Sequence, residues 1–309
     1  MRAAHYWVRL LSSPAGENSD LPPSSLLHAQ KSLYRALEFG TDGALAAQLL
    51  VALHRPMMFQ GYWRVWEDTL RDFVRAAPVE KEGGYCFEAR YFLAEICFRM
   101  GKLEESLALT QTNLAEAERR MDRAWVSALH DALAEIYVNQ DRFDLAEEHA
   151  RRAYAVAAEI GDPHRQADAL INLGRAHLGA ARTEQARSIF QQALAITQAA
   201  GDRIFAVKAY IFLGHSYGAL NHWAEAFACF QAALDGVRSY GDRVGEGVVL
   251  NNLGRALLRL GRLEEAEEEI GAALAIHRAA ENQLSISTAL SLLEELACLR
   301  RSETGISDK

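Results

Sequence analysis

Apolar residues recur along this chain at spacings of three and four, the period of a helix with one buried face. The pattern that holds them returns every 40 residues: GDPHRQADALINLGRAHL begins at Gly161, GDRIFAVKAYIFLGHSYG at Gly201 and GDRVGEGVVLNNLGRALL at Gly241. The register extends both ways. One leucine column reads Leu53, Leu93, Leu133, Leu173, Leu213, Leu253 and Leu293. The residue after it is small in the central copies, as Ala94, Ala134, Gly174, Gly214 and Gly254. Eight residues after each leucine the pattern breaks, at Gly101, Asp141, Ala181, Asn221 and Gly261. Two further small columns follow: Ser106, Ala146, Ala186, Ala226 and Ala266, then Asn113, Ala153, Ala193, Ala233 and Ala273. A repeat of this length decides the architecture before any single residue does.

Each repeat predicts two antiparallel helices, A and B, joined by a tight turn. The small columns mark where A crosses B, because backbones approach closely only past small side chains. The leucine column and its apolar neighbours fill the seam between repeats. Gly161, Gly201 and Gly241 suit the left-handed position that ends a helix. The aspartate after each glycine caps the next A helix, and Pro163 suits a first helical position. Thr183 and Asn221 are expected to cap B helices. A helices are expected near 43–56, 84–99, 124–139, 163–179, 203–219 and 243–259, and B helices near 62–77, 103–119, 143–159, 183–199, 223–239 and 263–279. A last helix is expected over 283–300, where Glu294 and Glu295 replace the small column and read as a polar cap. The fold class is therefore all-α, a right-handed superhelix (α-solenoid) of antiparallel helix pairs. Residues 1–40 form a helical lead-in with a loop over 12–25, 41–280 six helix pairs, and 281–309 a capping helix and tail. In the lead-in, HYWVRLL is a short amphipathic helix; SLLHAQKSLYRALEFG is a second, with Ser24 or Ser25 as its cap and Gly40 as its stop.

The order Leu-Gly, then an aromatic residue or histidine (His177, Tyr217), then Ala, Phe (Phe190, Phe230) and Ala, resembles the tetratricopeptide repeat in a longer, 40-residue form. The resemblance covers about 41–300 and is most specific over 161–280. The words AAHYWVRLL, LYRALEFG and GYWRVWEDTL resemble the start of the helical sensor region of bacterial STAND-type signalling ATPases. That resemblance implies a sensor arm or a stand-alone relative. The ATPase signature Gly-x-x-x-x-Gly-Lys-Ser/Thr is absent from the sequence; FRMGKL at 98–103 lacks its first glycine and its hydroxyl.

Composition narrows the function. A formal charge of −8 argues against a general nucleic-acid binder, which needs a basic stripe. No apolar run is long enough to span a membrane. Arg9 interrupts the apolar N-terminal stretch, so no secretory signal is expected. Cys86, Cys97, Cys229 and Cys298 form no Cys-x-x-Cys pair and read as small apolar helix residues with reduced thiols, hence a cytoplasmic protein. The histidines assemble no zinc spacing, and His177 reads as a core residue. The glutamates from 263 read as a solvated helix face. No catalytic motif, cofactor or metal site is expected, and the protein is not expected to be an enzyme.

The inner, concave face of the A helices is the place for a ligand. Asn172, Arg175, Lys208, Phe212, His215, Asn252 and Arg255 share that face. An asparagine amide donates to and accepts from a peptide backbone at once, and arginine holds a carboxylate bidentately. The resemblance adds that peptide-binding members of the repeat family, kinesin light chain among them, carry asparagines at this inner position. A second candidate is an acidic aromatic wall of Tyr85, Phe92, Glu95, Trp125, Asp131 and Glu135, suited to a basic partner. The expected function is a non-catalytic scaffold that binds a protein or an extended, acidic peptide segment, as a sensor or adaptor in bacterial signalling or defence. The alternatives are a receptor whose superhelix encloses a small molecule or short signalling peptide, and an enzyme accessory subunit without a ligand of its own.

Overall fold

The computed structural model describes residues 2–11, 23–38, 43–59, 62–76, 86–239, 241–279 and 282–304. They form fifteen helices and, among the described residues, no strand. The chain divides into two compact units, Met1–Asp122 and Arg123–Lys309.

In the first unit, α1 (Arg2–Leu11), α2 (Pro23–Glu38) and α3 (Gly43–Phe59) precede α4 (Trp63–Ala76), α5 (Cys86–Arg99) and α6 (Leu103–Arg119). Leu26, Leu33, Leu49, Leu53, Trp66 and Phe73 form its core, with Trp7 and Val8 of α1 packed against it. The second unit holds four helix pairs and a last helix. The A helices are α7 (Arg123–Asn139), α9 (Pro163–Gly179), α11 (Arg203–Ala219) and α13 (Arg243–Arg259); the B helices are α8 (Phe143–Glu159), α10 (Thr183–Ala200), α12 (Trp223–Ser239) and α14 (Leu263–Ala279). The last helix, α15, runs Gln283–Thr304. Successive helices pack on each other, and α9 also packs on the neighbouring A helices α7 and α11. The array of antiparallel helix pairs expected from the 40-residue period is present.

Every joint from α5 to α14 is built the same way. A residue in the left-handed conformation stands at 101, 121, 141, 161, 181, 201, 221, 241 and 261, one every 20 residues. The residue after it sends its N–H back to a carbonyl five positions earlier, as Arg182 to His177 (2.8 Å) and Asp202 to Thr197 (2.9 Å) do. This bond satisfies carbonyls that the ending helix leaves open. The repeat is thus two equal halves. The aspartate caps form as expected: Asp162 accepts from Arg165 N–H, Asp202 from Ile204 and Phe205 N–H, and Asp242 from Gly245 N–H.

The small columns sit at the crossings. A Cβ added at Gly174 would overlap the Phe190 ring, one at Gly214 the Phe230 ring, and one at Gly254 the Ile270 side chain. Ala146, Ala186, Ala226 and Ala266 are fully buried. Two polar members of these columns are bonded: Ser106 Oγ donates to the Ala94 carbonyl (2.8 Å), and Asn113 Nδ2 to that of Phe87 (3.0 Å).

Some local expectations are corrected. Asn221 does not cap α12; it takes the left-handed joint position, with φ 60°. Thr183 is the first residue of α10, and Arg182 before it makes no side-chain cap bond, because the joint itself organises that end. Ser24 and Ser25 lie inside α2, which starts at Pro23; the expected stop Gly40 and most of the expected loop lie outside the described residues. Helix α3 continues through Pro56 to Phe59. In α15 the packing face shifts by one residue: Leu292 is buried with Leu296, and Leu293 of the leucine column is only half-buried.

Candidate functional site

A 40-residue shift returns the same helix face, so side chains one period apart meet across neighbouring A helices. On the second unit this produces a connected polar row. Arg175 Nη1 of α9 bonds Glu135 Oε1 of α7 (3.0 Å) and Asn172 Oδ1 (2.7 Å). Asn172 Nδ2 donates to Asp131 Oδ1 of α7 (2.9 Å). Lys208 Nζ of α11 reaches Asp168 Oδ1 of α9 (3.3 Å). His215 of α11 faces the Asn252 amide of α13. Phe212 is half-buried, stacked on Phe190 with ring centroids 5.6 Å apart, and the Arg175 guanidinium lies over it. Arg255 is exposed and forms no ion pair among the described residues.

Two sequence readings of this row are corrected. Arg175, expected to be offered to a ligand, is only 19% exposed and is engaged by Glu135 and Asn172. The row was expected to suit an acidic segment, but α7 and α9 bring Asp131, Glu135 and Asp168 to the same face. Asn172 and Asn252 are both buried, and the Asn172 amide is bonded within the row. The signal for these carboxylates was present in the sequence: Glu135 lies 40 residues before Arg175, and Asp168 lies 40 before Lys208.

Electrostatics separate the row's members. Burial raises the Asp131 carboxyl well above the ordinary range; the charges of Asp168 and Glu135 add to this, and the Asn172 amide opposes it. Asp131 nevertheless keeps part of its surface open to water. Burial likewise lowers His215, the Asn252 amide opposes this and Arg255 assists it, which favours the neutral imidazole.

The second candidate wall divides between the units. Tyr85 lies outside the described residues. Phe92 is buried in the first unit and stacks on His54, with centroids 3.9 Å apart. Glu95 accepts from His54 Nε2 (2.9 Å) and pairs with Arg99 (3.0 Å). Burial alone would raise Glu95, but the His54 bond and the Arg99 charge hold it below the ordinary range. In the second unit Trp125 is half-buried, and Asp131 and Glu135 belong to the row just described.

Elsewhere, Glu67, Cys97 and Glu105 of the first unit bring three potential metal-ligand atoms within 4.8 Å. Both carboxylates are already committed: Arg71 bonds Glu67 (2.7 Å) and Glu105 (2.6 Å), and Lys102 bonds Glu67 (2.6 Å). Burial pushes the Cys97 thiol up to about 12. This is an ion-pair cluster, not a cation site. The four cysteines are free thiols on helices; Cys298 is exposed rather than packed as an apolar residue. An open groove of about 560 Å³, lined by Val8, Gln48, Val51 and Glu88 among others, lies in the first unit. His177 is buried as expected, with Nδ1 bonded to Gln185 (3.0 Å). Among the described residues no helix is long and apolar enough to cross a membrane.

The tetratricopeptide repeat family matches residues 125–199 and 205–279. No curated protein matches the chain by sequence. Solved structures do. BtubC from P. vanneervenii is 20% identical over 84% of this chain and 93% of its own, with a TM-score of 0.55. A Rap protein complexed with competence and sporulation factor is 14% identical over 98% of this chain and 86% of its own, with a TM-score of 0.69. A STAND-type signal-transduction ATPase with a tetratricopeptide repeat sensor, from Pyrococcus horikoshii, is 17% identical over 94% of this chain and 43% of its own, with a TM-score of 0.65. At these identities the likeness is one of fold.

Proposed function

Since this is a tetratricopeptide-type repeat protein through residues 125–199 and 205–279, we propose that it is a non-catalytic scaffold that binds a protein or peptide segment on the A-helix face of its second unit. The reading rests on one observation: the face carries amide, aromatic and cationic groups in register, and one of its cations, Arg255, is exposed and not paired with any described carboxylate. An exposed guanidinium offers a forked pair of donors to an acidic side chain or a chain terminus. Fold relatives give the reading a context. One is a Rap protein in complex with a named factor, and another is a sensor arm. The same context supports a sensor or adaptor role. The four unpaired cysteines support a reducing compartment such as the cytoplasm.

Affinity capture from the native lysate tests the reading. Lys208→Gln combined with Arg255→Glu, both at exposed positions, is expected to abolish capture of the partner while circular dichroism and the melting temperature stay near those of the parent. Glu264→Arg, on the exposed face of α14, is expected to capture normally. Undiminished capture by the double variant would move the site away from this face.

A further inference from the structure

The A-helix face of the second unit is electrically polarised along the stack. Helices α7 and α9 place three carboxylates on it, Asp131, Glu135 and Asp168; Arg175 pairs with Glu135 and Lys208 with Asp168, which leaves Asp131 without a cationic partner among the described residues and the end acidic by one charge. Helix α11 contains no acidic residue at all, and its contribution is Lys208. Helix α13 contributes Arg255; its single acid, Glu246, is buried and taken up by Arg238 (2.9 Å) and Arg243 (2.6 Å). Arg259, one turn beyond Arg255, is neutralised by Glu295 of α15 (3.1 Å).

The two ends are also left unsatisfied in opposite senses. Asp131 accepts an amide bond from Asn172 and forms no ion pair among the described residues. Burial and its acidic neighbours disfavour its charged form, which a ligand cation would reverse. Arg255 faces the opposite need. Between the two ends the polar groups of the row are interspersed with apolar ones. Phe212 of α11 is half-buried there, Val248 of α13, one period after Lys208, is 39% exposed, and Ile204 and Val244, in the first turns of α11 and α13, are 55% and 46% exposed. Ile204 and Val244 are one 40-residue period apart, so they hold equivalent places on α11 and α13. A large aliphatic side chain open to water at Val248, one period from Lys208 of the row, together with Phe212, points to an occupant with apolar side chains.

We propose that this face takes an extended peptide segment with segregated charges: basic residues over Asp131, Glu135 and Asp168, apolar residues over Phe212 and Val248, and an acidic residue or carboxyl terminus at Arg255. This rests on the peptide-binding reading above and adds to it the chemistry and placement of the ligand. The span fits a short segment. Three interhelical steps of about 8–10 Å separate α7 from α13, which an extended chain covers in about seven to nine residues at ~3.3 Å each.

Fluorescence anisotropy on the full chain tests this with three labelled nonapeptides of defined pattern. The first carries two lysines at one end, a Ser/Ala/Leu centre and two glutamates at the other. The second has the same composition with charges alternating. The third replaces the two glutamates of the first by lysines. A degenerate nonapeptide pool serves as the reference for peptide binding as such. The segregated peptide is expected to bind at least tenfold tighter than its alternating isomer. Arg255→Glu is expected to weaken the segregated peptide about tenfold and to strengthen the all-lysine one. Asp168→Asn is expected to weaken the lysine end's contribution without abolishing response to the glutamate end. Equal affinity for the segregated and alternating peptides would overturn the charge placement and leave the peptide reading standing. Failure of every peptide, the pool included, would overturn both. Circular dichroism on each variant separates lost binding from lost fold.

Discussion

At the residue scale, the joints and the polar row carry opposite kinds of cost. The joint conformation is required every 20 residues, yet Met121, Asp141, Ala181 and Asn221 occupy it without being glycine. A left-handed non-glycine residue costs about 1–2 kcal/mol, so Ala181→Gly is expected to stabilise the protein by about 1 kcal/mol, read as a higher urea midpoint at unchanged slope. Gly201, with φ 68° and no atom near an added Cβ, gives the mirror case: Gly201→Val is expected to destabilise by a similar amount through the backbone alone. Asp131 is costly for another reason. Its carboxyl in the fold sits above its ordinary range, so the fold disfavours the ionised form, and stability is lost as pH rises through that raised value. Asp131→Asn keeps an acceptor for Asn172 and is expected to raise the urea midpoint at neutral pH. The gain should vanish below the ordinary carboxylate range, where the parent is protonated in both states.

At the scale of elements, the A–B contacts set the tolerances. Gly174→Ala drives a methyl into the Phe190 ring and is expected to cost about 1–3 kcal/mol; Phe190→Leu in the same chain is expected to recover part of that loss, giving a coupling that a double-mutant cycle measures. The pair α7 and α8 carries a second, pH-dependent contact. His130 and His149 face each other through their Nδ1 atoms at 2.9 Å, with Tyr137 against His149. Burial first, then the charges of His149 and Arg152, bring His130 down from 6.5 to about 4. The histidine is therefore neutral in the fold and takes up a proton on unfolding between these values. Its stabilising contribution is complete above 6.5 and is lost as pH falls toward 4. Urea midpoints measured across that window are expected to fall less steeply for His130→Gln than for the parent.

At the scale of the whole molecule, an array of this type is stabilised by neighbour contacts and must be closed at its ends. In the second unit α15 covers the apolar side of the last described helix pair. Ala289, Leu292 and Leu296 cover Leu257, Leu258, Ile270 and Leu274. A chain ending after Ala279 leaves those side chains in water, each buried one being worth about 1.5–3 kcal/mol. Such a chain is expected to melt well below the parent and to self-associate, as light scattering would report. The polar face of α15, with Glu294 exposed, meets solvent.

The sequence by itself determined the period, the helices and the aspartate caps. The leucine column, the small columns and the Gly-Asp joints are local or strictly periodic signals, and each is read without knowing what lies across the fold. Leu93, Leu133, Leu173, Leu213 and Leu253 are accordingly buried, and the A and B helices of the second unit fall within a residue or so of their expected bounds. The tertiary structure decided which side chains satisfy one another. Arg175 looked free on a single helix and is held by Glu135 from the repeat before. Glu95 looked like part of an open wall and is held by His54, 41 residues earlier. Such pairs depend on the lateral offset of neighbouring helices and on side-chain reach, which the period within one helix does not encode. The same offset leaves Arg255 without a carboxylate among the described residues, and so turns a uniform row of residues into a face with two ends.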